Sequence, residues 1–201
     1  MFTTSARGSM LDALSPAYAS LHTGFPGQTF ANEVTGGTPA YARKTITFGA
    51  ASGGVRTSST APVFDVPAAA AVNWIAFGTA VTAGTELAVS PNGANPKEFS
   101  LSATANTIYC PAHGFTSGLA ITFYGGTPPT GLTEGTTYVV CTDGSLTTDT
   151  FKVAAVGTPG TPIAITGQPT TACLVSPIVT ETFAAQGTFT LSTGATLNLN
   201  Y

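Results

Sequence analysis

Apolar residues fall along this chain in short runs, and the clearest runs alternate. Thr45-Ile46-Thr47-Phe48, Ala120-Ile121-Thr122-Phe123-Tyr124 and Thr188-Phe189-Thr190-Leu191 place apolar side chains on one side and mostly threonine on the other. A period of two belongs to strands with one buried face. Between the runs stand clusters that turn the chain: Gly24-Phe25-Pro26-Gly27, Gly36-Gly37-Thr38-Pro39, Ser52-Gly53-Gly54, Pro91-Asn92-Gly93, Gly125-Gly126-Thr127-Pro128-Pro129 and Asp143-Gly144. The pattern predicts an all-β chain with strands at Tyr18–His22, Lys44–Phe48, Val63–Val66, Val72–Gly78, Glu86–Val89, Thr107–Cys110, Ala120–Tyr124, Thr137–Thr142, Thr150–Ala154, Ile163–Thr166, Cys173–Val175, Gly187–Leu191 and Ala195–Asn200. The Asp143-Gly144 pair makes Thr137–Thr142 and Thr150–Ala154 a hairpin candidate. One segment, Ser5 to Leu14, spaces Met10, Leu11 and Leu14 as a helix does and stops at Ser15-Pro16.

Two stretches look like linker: Pro91-Asn92-Gly93-Ala94-Asn95-Pro96 and Gly167-Gln168-Pro169-Thr170. They bracket a central segment of about seventy residues, the signature of one domain inserted in another. The expected organisation is an outer, jelly-roll-like β-sandwich of residues 1–98 plus 176–201, with one short N-terminal helix. A small β-barrel or sandwich, residues 99–175, is inserted in it.

Composition changes what the surface must be. The 201 residues are 43% hydrophobic and only 7% charged, against roughly 25% charge in an average soluble domain. Threonine, serine, alanine and glycine fill the space, and such a face loses little ion hydration when packed on another protein. Six Lys and Arg against nine Asp and Glu leave a net charge of −3 with no basic run, which argues against nucleic-acid binding. Mean hydropathy is positive, +0.27, yet no apolar stretch approaches the roughly 20 residues of a spanning helix; Ala68 to Ala76 is broken by Asn73. The N-terminus lacks the basic and apolar regions of a signal peptide.

Candidate chemistry is sparse. The two histidines, His22 before a turn and His113 in a loop beside Cys110, read as residues that close turns rather than as general bases. The acids are scattered singly, so Asp65 and Glu86 pair only as any two acids do. Gly36-Gly37 carries neither phosphate-cradling pattern. Trp74, inside an apolar strand, reads as core rather than as a sugar platform. Cys110, Cys141 and Cys173 form no CxxC pair, which leaves no zinc site; they are expected as buried thiols, with a Cys110–Cys173 bridge as the alternative. The residues thus predict a non-enzyme without cofactor or metal.

The N-terminal hundred residues resemble a family of small phage tail-fibre or minor tail proteins. The resemblance rests on Met10-Leu11-Asp12-Ala13-Leu14, Ser20-Leu21-His22-Thr23-Gly24-Phe25-Pro26-Gly27, Ala31-Asn32-Glu33-Val34-Thr35-Gly36-Gly37, Pro39-Ala40-Tyr41-Ala42-Arg43-Lys44 and Ile46-Thr47-Phe48, and on closing strands at Ala185–Leu191 and Thr196-Leu197-Asn198-Leu199. The middle is similar to a second recurring phage module through His113-Gly114-Phe115, Gly131-Leu132, Gly135–Val140 and Asp149–Val153. Strand positions for Cys110 and Cys141 depart from that module. The resemblance implies a virion protein, assembled in the host cytoplasm, whose partners are other capsid or tail proteins and further copies of itself. Tail appendage and capsid decoration are both open placements. Tyr41 and Arg43, with Asn32 and Glu33 in the adjacent loop, are the expected interface residues, since aromatic and guanidinium groups dominate interfaces; equally, Arg43 pairs with Glu33 across the loop. A carbohydrate-binding module contacting host glycans is the rival reading, resting on Tyr109, Phe115 and Tyr124.

Overall fold

The structure is a computed structural model that describes residues 3–198. Leu199 and Asn200, the end of the last predicted strand, lie outside the described residues. One helix, α1 (Thr4–Leu14), precedes β1 (Tyr18–His22), β2 (Lys44–Thr45), β3 (Val55–Thr57), β4 (Val63–Val66), β5 (Ala71–Val72), β6 (Trp74–Gly78) and β7 (Glu86–Pro91). Then come β8 (Lys97–Glu98), β9 (Ser100–Leu101), β10 (Ile108–Tyr109), β11 (Ala120–Tyr124), β12 (Thr137–Val140), β13 (Thr150–Phe151), β14 (Val153–Ala155) and β15 (Leu174–Pro177). The chain ends on β16 (Glu181–Thr182), β17 (Gly187–Thr190) and β18 (Thr196–Asn198). The fold is all-β and sandwich-like with one short helix.

The chain divides into two compact units, Met1–Ser90 with Thr180–Tyr201, and Pro91–Val179. The division lies outside the linker-based bounds of 99–175 because Lys97 and Glu98 pair with Val175 and Leu174 inside the second unit. Pro91-Asn92-Gly93 is a turn at that unit's entrance, and the Val179 amide donates to the Asn92 carbonyl at 2.8 Å.

In the first unit a four-stranded sheet runs β2-β1-β6-β7. The C-terminal strands return along β3 to β5 in reverse. Val72 stands opposite Glu181, Val66 opposite Gly187, Val63 opposite Thr190, Thr57 opposite Thr196 and Val55 opposite Asn198. The gaps between strands are equal on the two sides, so three short ladders keep one register from end to end. Sheet and ladders share a core in which Leu21, Phe77, Phe64, Phe189 and Leu197 are buried. Threonines alternate outward: Thr188, Thr190 and Thr196 are exposed while Phe189 and Leu197 point in. Helix α1 buries Leu11 alone. Thr3 caps its start by accepting from the Ala6 amide, and Arg56 donates to the Leu11 carbonyl at 3.1 Å near its C-terminal end, where a cation is favoured.

The second unit stacks a five-stranded sheet, β14-β12-β11-β15-β8, and a three-stranded one, β13-β10-β9, around Ile121, Phe123, Val140 and Phe151. The predicted strand Thr150–Ala154 is divided at Lys152: β13 pairs with β10, β14 with β12. A strand that changes sheets makes a corner of such folds. Lys152 there reaches Asp143 at 3.2 Å. Hydrogen bonds from Ser145, joined by Lys152, hold the Asp143 carboxyl down at about 2. Cys110, Cys141 and Cys173 are buried and free, so the Cys110–Cys173 bridge is not formed. Burial pushes the Cys173 thiol up to about 11 and raises Cys110 as well, which keeps both protonated and unreactive.

Candidate functional site

Strand β1 is buried on both faces, which its alternation alone does not require. Ala19 and Leu21 enter the core. Ser20 and His22 point the other way, opposite Ala76 and Trp74 of β6, and residues 23–33 fold back over them. The loop closes on itself: the Ala31 amide donates to the Pro26 carbonyl at 3.1 Å and Asn32 Nδ2 to the Phe25 carbonyl at 2.9 Å. Phe30 and Asn32 take left-handed backbone, φ 55° and 58°. Phe25 meets Trp74 edge-on at 4.9 Å, and Phe30 stacks on His22 at 6.3 Å. Phe30 needs Gly78 beneath it, since a Cβ there would fall 2.3 Å from Phe30 Cζ.

Arg43 clamps this cap. Its Nε and Nη2 donate to the two Glu33 oxygens at 2.8 and 2.7 Å, and Nη1 donates to the carbonyls of Ala80 and Ala83 at 3.2 and 2.7 Å. The guanidinium lies 3.7 Å from the Phe30 ring centre, a cation–π contact. Its side chain is 8% exposed, and the hydrogen bonds to Glu33 strengthen its hold on the proton. Tyr41 accepts from the Leu21 amide at 2.7 Å and reaches Glu33 at 3.4 Å, and its hydroxyl is raised far above the usual phenol by burial. Glu86 accepts from the Phe30 amide at 2.8 Å, and burial raises its carboxyl.

The predicted interface residues Tyr41, Arg43 and Glu33 are therefore brought together, but their polar groups face inward, and the Arg43–Glu33 pair across the loop is present. Asn32 is exposed at the cap's edge. Phe30, Gly78 and Glu86 escape sequence reasoning. Gln28-Thr29-Phe30 has no periodicity, and Glu86 is 56 positions from the amide it holds.

Ser20 Oγ lies 2.9 Å from His22 Nε2, and His22 Nδ1 lies 2.8 Å from the Ala31 carbonyl, the spacing of a nucleophile and its base. Both residues are sealed under the cap, at 1% and 0% exposure, where no substrate reaches Oγ. His113 is likewise buried; its Nδ1 accepts from the Phe115 amide at 2.8 Å and its ring packs on Phe115 and Phe151. No group of three His, Cys, Asp or Glu is placed to hold a metal among the described residues. Of the glycan-contact aromatics, Tyr109 is 44% exposed while Phe115 and Tyr124 are buried, and Trp74 is 1% exposed.

Residues 3–107 match the family described as Podophage GP4 fiber I protein gp80. The chain belongs to this fibre family. The match spans just over half of the sequence and takes in α1, the four-stranded sheet, the cap with its Arg43 clamp and one side of the long ladder. No curated protein and no solved structure matches the chain. Membership makes it a structural fibre protein of a phage virion. The motifs that carried the resemblance, Ser20–Gly27, Ala31–Gly37 and Pro39–Lys44, are the segments that build the cap and its clamp.

Several of the fibre protein's few charges pair within the chain. Arg43, Lys44, Arg56 and Lys152 each pair with an acid. Among the carboxylates, Glu86, Asp149 and Glu134 receive backbone amides of Phe30, Ala112 and Gly125. Two glutamines do similar work: the Gln168 amide both donates to and accepts from Leu101 on the edge of β9, and Gln186 bridges the Thr38 amide and the Pro39 carbonyl.

Proposed function

We propose that this fibre protein is a surface accessory subunit of the virion tail, held by protein–protein contacts of its first unit and presenting its second unit outward. Repeated copies self-associate and pack on neighbouring virion proteins. The observation that carries this reading is the outward row of Thr188, Thr190 and Thr196 on a unit in which Arg43, Lys44 and Arg56 each pair with an acid of the same unit. A hydroxyl-bearing β surface with few charges is covered at little desolvation cost, and many such weak contacts sum by multivalency. Two further features support the division of labour. The family match falls mainly in the first unit, and the ends of the second lie together, Val179 on Asn92, as suits a module set into an existing fold. Family membership favours a tail appendage over capsid decoration, and an exposed Tyr109 beside buried Phe115 and Tyr124 supplies little of the aromatic platform a glycan-binding module needs.

The test is genetic. Particles assembled with a chain lacking residues 91–179 are expected to retain the protein, and particles assembled with a chain lacking residues 181–201 are expected to lose it. The reverse pattern would assign attachment to the second unit. Binding of the full chain to host polysaccharide, lost on Tyr109→Ala, would move the function to glycan contact.

A further inference from the structure

The cap over β1 and β6 covers a titratable group that assembly does not use. His22 is fully buried, with Nδ1 on the Ala31 carbonyl of the cap and Nε2 on the Ser20 hydroxyl of its own strand. A carbonyl only accepts, so Nδ1 carries the proton and Nε2 of the neutral ring accepts from Ser20. The Ser20 hydroxyl has a second acceptor within reach, the Ala76 carbonyl at 3.4 Å. A proton arriving at Nε2 turns that hydroxyl to Ala76 and leaves the ring's hydrogen bonds complete, but it puts a full charge under Phe30. Phe30 already carries the Arg43 guanidinium 3.7 Å from its ring centre, so one ring would adjoin two cations beside a histidine shut off from water.

We propose that residues 23–33 form an acid-sensitive cap, which protonation of His22 releases from the β1–β6 face while the rest of the first unit stays folded. The groups around His22 act in opposite senses. Glu33, bridged to it in the backbone, favours the imidazolium, and Arg43 opposes it. Tyr41 is held on Glu33, and β6 presents Trp74 and Ala76, neither of which titrates here. Burial outweighs the favourable contributions and holds His22 below its ordinary range. Glu86 reaches the cap through the Phe30 amide, and its raised carboxyl makes acid favour the closed form through that group. Because the loop's own hydrogen bonds close it on itself, it is built to lift as a unit. Lifting uncovers Phe25, Phe30 and Trp74, an aromatic patch of the kind that anchors interfaces.

Hydrogen exchange of the full chain tests this. The Phe30 amide, bonded from the cap to Glu86, and the Val34 amide, bonded at the cap's foot to the Leu21 carbonyl, are compared with Phe183 and Leu191, bonded across the ladder, at about pH 7.5 and about pH 5 after correction for intrinsic rates. With an open-state histidine near 6.5, cap opening is expected to rise by up to about thirtyfold, and the ladder amides to stay level. Emission of Trp74, the single tryptophan, shifts to the red over the same range, and His22→Asn, which keeps a donor toward Ala31 without titrating, abolishes both changes. Equal loosening of cap and ladder, no change at either, or an undiminished acid transition in His22→Asn would overturn the proposal. If the variant does not fold, the wild-type contrast between cap and ladder decides alone.

Discussion

At residue scale the molecule's few charged side chains act as staples for loops. Arg43 gathers the Glu33 segment, the 79–85 turn and the Phe30 ring around one guanidinium. Removing one partner of a largely buried ion pair leaves the other uncompensated, which costs about 3–5 kcal/mol. Arg43→Ala is therefore expected to lower the first unit's stability by about that amount in denaturant titration, with no effect on the second unit's transition. Arg43→Lys recovers only part of the loss, because an ammonium cannot span both Glu33 oxygens and two carbonyls. His22 adds a pH term with a definite sign. Its folded-state proton affinity is depressed, so the stability it confers is complete above about 6.5 and is lost as pH falls below that value. The pairing of Arg43 with Glu33 was legible in the sequence as a loop contact. The packing of His22 and Arg43 on Phe30 was not, because the three come from separate stretches of chain and only the fold juxtaposes them.

At the scale of elements, alternation and turn chemistry place most strands. Tyr18–His22, Val63–Val66 and Ala120–Tyr124 appear with the predicted bounds, since in each a regular pattern meets clear flanking turns. Ile163–Thr166 does not form a strand among the described residues. Its amides are instead taken singly, Ile163 by the Val153 carbonyl, Ile165 by the Asn106 side chain and Thr166 by the Thr130 carbonyl. Thr150–Ala154 reads as one strand because nothing in Phe151-Lys152-Val153 announces a change of sheet. The long ladder between residues 55–72 and 181–198 was also hidden, as pairing across more than a hundred positions leaves no local mark. It makes the C-terminal return indispensable to the first unit. Phe189, buried against Phe64 at 6.4 Å, is the test: Phe189→Ala is expected to cost about 3–5 kcal/mol, read as a lowered midpoint of the first unit's transition alone. A smaller loss, or one shared by both units, would contradict a ladder that closes the first unit.

At the scale of the whole molecule, a unit built from two stretches of chain flanks in sequence a continuous one. A continuous unit with its own core and adjoining ends is expected to fold alone, so residues 91–179 expressed separately should melt cooperatively and reproduce one of two transitions of the full chain. The low charge content was legible from composition; that Arg43, Lys44, Arg56 and Lys152 each pair with an acid of the same chain was not, because composition does not say which charges meet. Residues 3–107 tie the chain to phage fibres, and the account places the second unit on the particle's outside. Gold-labelled antibodies against residues 91–179, imaged on purified particles by electron microscopy, address this most directly. The account predicts label at the tail and its fibres on intact particles. Label spread over the head, or label that binds only after particles are disrupted, would contradict it.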